Sequence, residues 1–154
     1  MHIQDYLRLI VNSEQQMSEA FNKVSRHHKY EPDIHFTCLM LAGWSDRHVE
    51  LLKPFSDKYE EKAGDTKEPE RLSQTLFREP RRGPLALLRD LHDLWLLTKE
   101  IEISYKIILQ AAKALRDTNL VKLGEELSNE TKRQSDWLQT RIKQAAPQIL
   151  VVAD

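Results

Sequence analysis

Residues 63–83, AGDTKEPERLSQTLFREPRRG, decide how this chain folds. The stretch is charged and carries Pro69 and Pro80, and its one candidate for regular structure is a helical turn at PERLSQTLF, residues 69–77. Unstructured connections of this length are uncommon inside compact domains and need a structural reason. The reason here is topological. A segment of about twenty residues can run the length of a helical bundle, so that the helix after it starts parallel to the helix before it. The basic cluster Arg78–Arg82 contains one of the prolines and belongs to this solvated connection.

On either side, apolar residues recur at alternating steps of three and four, the period of a helix with one inward stripe. The first stripe is Ile3, Leu7, Ile10, Glu14, Met17, Phe21, Val24, and the second is Ile34, Cys38, Leu41, Ser45, His48, Leu52, Phe55, Tyr59. After the connection come Leu88, Leu91, Trp95, Thr98, Glu102, Tyr105, Leu109, Ala112, then Leu120, Leu123, Leu127, Glu130, Gln134, Trp137. The expected helices span about 3–28, 33–62, 84–115 and 118–145, with the crossover at about 63–83. Pro32 and Pro84 suit first-turn positions, where a missing N–H costs little. Asp117 or Thr118 suits an N-cap, and Pro147 closes the fourth helix before a short tail. Short connections make helices one and two, and three and four, antiparallel neighbours.

The chain has 154 residues, of which 40% are apolar and 31% charged, with 4 Gly. That balance suits a single all-α domain, residues 1–154, with a real core and long charged outer faces. Lys+Arg (23) nearly cancels Asp+Glu (24), so no global field favours nucleic acid or an acidic membrane. Cys38 is the single cysteine, which excludes an intrachain disulfide and any multi-cysteine metal site. No apolar stretch approaches membrane-spanning length and none resembles a leader, so a cytoplasmic protein is expected.

Each stripe is broken by polar residues near its middle: Glu14, then Ser45 and His48, then Thr98 and Glu102, then Glu130. Bundle packing brings these breaks to one height. Three buried carboxylates at one level repel one another and need a cation among them. A metal, a protonated His48 or Arg133, one turn from Glu130, would each supply that charge.

This arrangement resembles the ferritin-like superfamily, whose di-iron and di-manganese members take one Glu from each of two helices and Glu-x-x-His from the other two. Glu14 and Glu102 match the single glutamates. Ser45-Asp46-Arg47-His48 matches the first Glu-x-x-His with serine for glutamate, and Glu130-Thr131-Lys132-Arg133 the second with arginine for histidine. The resemblance implies an up-down-down-up four-helix bundle with one long crossover, and a homodimer. It does not bring the superfamily's oxidative chemistry with it. Ser45 lacks the bridging carboxylate, and the Arg133 guanidinium has no lone pair to offer a metal.

The expected function is therefore a non-catalytic binding or scaffold protein with a degenerate dinuclear site, no cofactor, and an internal Glu130–Arg133 pair. The competing reading is an iron or manganese oxidoreductase or storage protein using Glu14, His48, Glu102 and Glu130. Glu102 has a blander alternative as well, a surface pair with Lys99 or Lys106. Trp44, Trp95, Trp137 and Tyr105 read as packing, and His27-His28 as capping at a helix end. No phosphate loop, zinc-protease motif or nucleophile elbow is present, and Ser45–His48 lacks a third group to orient it.

Overall fold

Regular three-four spacing of apolar residues produces four helices: α1 (Ile3–His27), α2 (Pro32–Ala63), α3 (Ala86–Ala114) and α4 (Thr118–Pro147). The computed structural model describes residues 1–64 and 75–152. The chain is an all-α four-helix bundle with a long link between α2 and α3. The helical turn expected at 69–77 falls largely on residues 69–74, outside the described residues, and Thr75–Phe77 are not helical. Beyond Pro147 the chain does not become an irregular tail. It continues as a π-helical turn, Gln148–Val152.

All seven residues of the α1 stripe are buried. Burying its six apolar members contributes on the order of 10 kcal/mol, which outweighs the several kcal/mol needed to desolvate Glu14. Burial on α2 follows Ile34, Cys38, Leu41, Ser45, His48, Leu52 and Tyr59. Pro54 lies inside α2 on its exposed face, where solvent can serve the backbone carbonyl it leaves free. The last two helices sit differently from their simplest stripes. The buried face of α3 includes Leu94, Leu97, Ile101, Tyr105 and Ile108, and that of α4 Leu127, Thr131, Gln134 and Leu138.

α1 packs against α2 and α3, and α4 against α3 and α2. Neighbours meet end to start. The Ser25 hydroxyl donates to the His35 carbonyl (2.7 Å) where α1 turns into α2, and Arg8 reaches Glu60 (3.1 Å) at the other end. His28 at the end of α1 meets Asp90 near the start of α3. Tyr59 near the end of α2 donates to Asp117, the N-cap of α4, at 2.6 Å. Asp117 also accepts the Leu120 N–H at 3.1 Å, which satisfies one of the free donors of the first turn.

The α3–α4 turn closes with two bonds, Asp117 N–H to Ala112 O (3.0 Å) and Arg116 N–H to Lys113 O (3.1 Å). This is a Schellman motif with Arg116 at φ 56° in the left-handed position that glycine usually takes. Further along, Gly124 lets α4 approach α3: a Cβ there would stand 3.0 Å from Leu109 Cδ2. The described part of the link crosses α1, where Phe77 is buried in the core and Lys23 holds Glu79 at 2.9 Å. It then reaches α3, where the Arg81 guanidinium meets Asp93 at 2.9 Å.

Candidate functional site: a polar centre and a histidine–aspartate group

The inward stripes of α1 and α2 bring Glu14 and His48 together in the middle of the bundle, and both side chains are fully buried. His48 Nδ1 is hydrogen-bonded to Glu14 Oε2. The opposite ring nitrogen, Nε2, faces Glu130 Oε2 at 3.4 Å. Glu130 stands at the rim, 19% exposed, and its Oε2 is bound by the Arg47 guanidinium. Arg47 is itself 45% exposed and reaches Glu126 at 3.5 Å. The result is a chain of alternating polar groups, Glu14–His48–Glu130–Arg47, running from the core to solvent.

Burial pushes the Glu14 carboxyl above its usual range, while the hydrogen bond and charge of His48 pull it partly back and Glu130 adds to the rise. The fully buried ring of Tyr105 comes from α3. Burial, then the nearby Glu14 and Glu130, push its phenol well above the ordinary value. Its hydroxyl, Glu14 Oε1 and His48 Nε2 have no hydrogen-bond partner among the described residues. Ser45 is buried and accepts from Gln134 Nε2 (3.1 Å), which also donates to the Leu41 carbonyl (3.0 Å).

Three expectations change here. Arg133 does not enter the layer: it is exposed and its guanidinium stacks on the Trp44 ring at 4.9 Å. The expected Glu130–Arg133 pair is replaced by Glu130–Arg47. The physical reason is rotation of α4, whose inward face carries Thr131 and Gln134 and so leaves Glu130 at the rim and Arg133 outside. Glu102 likewise stays at the flank of α3 and pairs with Lys99 at 2.9 Å, the blander of its two readings. Tyr105 approaches the centre in its place. Arg47 lies off the inward stripe, one residue before His48, so the three-four spacing does not single it out, and only its long side chain brings the guanidinium to Glu130.

A dinuclear metal site does not fit these residues. His48 presents opposite ring nitrogens to Glu14 and Glu130, so no single lone pair meets both carboxylates. Ser45 is taken by Gln134, and Arg47 puts a fixed positive charge on the Glu130 oxygen nearest His48.

Among the described residues, His27, His28 and Asp90 are the one such group of three whose ligand atoms lie within 4.8 Å of one another. His28 Nε2 stands 2.7 Å from Asp90 Oδ2, and Asp90 Oδ1 accepts the Arg81 backbone N–H at 2.7 Å. The reading of His27-His28 as a cap missed Asp90, which lies 62 positions beyond His28. The available signals were two adjacent histidines at a helix end and an aspartate within the apolar period of LLRDL. No protein-family model matches the chain, and neither a curated protein nor a solved structure is similar enough to count as a match.

Proposed function

We propose that this is a ferritin-like bundle in up-down-down-up order whose central metal site has been replaced by fixed charge, and that it serves as a non-catalytic binding or scaffold protein. The end-to-start packing of neighbouring helices and the long α2–α3 link support the fold reading. One observation carries the functional one: His48 is clamped between Glu14 and Glu130, and Arg47 neutralises Glu130 from outside. The charge a metal would bring to the centre is thereby supplied by side chains, at no need for an ion.

The competing class is an iron- or manganese-dependent oxidoreductase. Elemental analysis of protein grown with added iron or manganese and purified without chelator separates the two. The expected result is no metal that depends on the centre. Near-stoichiometric iron or manganese that disappears in Glu14→Ala or His48→Ala would overturn the proposal.

A further inference from the structure

We propose that His27, His28 and Asp90 bind one zinc-class divalent cation where the end of α1 meets α3. The site uses none of the residues of the central layer and does not rest on the function proposed above.

Side chains at consecutive positions of a helix point about 100° apart and cannot share an ion. Here the helix ends between them. His27 is the last residue of α1, and His28 leaves the helical conformation at φ −112°, ψ 39°. The two rings therefore meet edge to face, with centroids 4.9 Å apart. The third ligand is prepared by burial. Asp90 is 0% exposed, one oxygen fixed by the Arg81 N–H and the other turned towards His28. Such outer support orients a carboxylate before a metal arrives.

Two imidazoles and one carboxylate form the three-ligand set of an open zinc site, with the fourth position left to water or an outside donor. His27 is exposed, so water can reach an ion held there. Bonds of about 2.0–2.2 Å place ligand atoms about 3–3.5 Å apart. From a spread within 4.8 Å, the exposed His27 swings inward while the 2.7 Å contact between His28 and Asp90 opens slightly. The proton shared by His28 Nε2 and Asp90 Oδ2 then leaves to solvent as the ion takes its place. Nitrogen-rich sets of this kind favour zinc or copper over manganese or iron(II).

Nearby positive charge does not block the site. The Arg81 guanidinium is held by Asp93 at 2.9 Å and the Lys23 ammonium by Glu79 at 2.9 Å, while Arg26 is exposed to water. The carbonyl end of α1 adds a favourable dipole. A bound ion would staple α1 to α3 and, through the Arg81 N–H, to the end of the long link.

Zinc titration of the full chain by calorimetry tests the site. About one Zn²⁺ per chain is expected, with affinity at least tenfold lower in His27→Ala and unchanged in His2→Ala. Co²⁺ should give visible absorption bands that His27→Ala abolishes. Zinc should raise the melting temperature of the wild type and not of His27→Ala. His27 is exposed, so that variant keeps its fold, and Asp90→Asn serves as a second loss-of-ligand variant. Equal zinc affinity in wild type and His27→Ala, or an equal loss in His2→Ala, would overturn the site.

Discussion

Replacing His48 with alanine is the sharpest test of the polar centre. The imidazole is the direct polar contact of the fully buried Glu14 carboxylate through Oε2, and Glu14 Oε1 has no hydrogen-bond partner among the described residues. Removing one member of a buried pair costs about 3–5 kcal/mol, because the other is left buried and uncompensated. For a chain of this size that lowers the melting temperature by roughly 6–20 °C. Glu14 can escape by taking up a proton, which makes the cost depend on pH. Its folded-state pKa already lies above the ordinary 4.5, first because of burial, with His48 holding it down. A raised folded pKa means the folded state keeps a proton that the unfolded chain releases. Stability therefore falls as pH rises from 4.5 to the raised value and levels off above it. Without His48 that window reaches to higher pH and the total loss grows. Urea unfolding followed by circular dichroism at pH 4 to 8 should show the variant's deficit widening with pH. At the acid end the loss should shrink towards a packing cost of about 1–2 kcal/mol. In a double-mutant cycle, Glu14→Gln should absorb much of the His48→Ala penalty at neutral pH. A deficit below about 1 kcal/mol at pH 7, or additivity within about 0.5 kcal/mol, would refute the buried pair.

Two further outcomes follow from the geometry. Arg133→Ala should cost no more than about 1 kcal/mol in the same unfolding assay, since it removes an exposed stack on Trp44; a loss of several kcal/mol would restore Arg133 to the centre. Cys38 is buried, and burial followed by the charge of Asp33 pushes its thiol up to about 12. A thiol reagent at pH 8 should therefore leave the native protein unlabelled and label it on unfolding, and fast labelling of the native state would contradict the packing of α2.

The stripes of α1 and α2 could be read directly because their apolar residues leave little choice of rotation. On α2 a single row at steps of three and four accounts for every buried position but Ala42, and on α1 the whole row is buried, with flanking residues such as Gln4, Leu9, Ser13 and Ala20 widening the face. α3 offered two neighbouring rows, since LWLLTKEIEISYKIIL is apolar on more than one side. Its simplest row ran through Trp95 and Glu102, whereas burial favours Leu94, Leu97, Ile101 and Ile108. In α4, a shift of one residue exchanged Glu130 for Thr131 on the inner face. One residue is about 100° of helix, enough to carry a side chain from core to rim.

The sequence by itself determined four helices, the long link between the second and third, and a buried Glu14 and His48, because periodic apolar spacing is a local property of the chain. Tertiary structure alone decided which positive group meets which carboxylate. Arg47 takes Glu130 and Arg133 goes to Trp44. It also brought His28 to Asp90 across 62 positions. Those pairings depend on how far each helix is rotated about its axis and on the reach of long side chains across the gap, and neither is written in the spacing of any one helix.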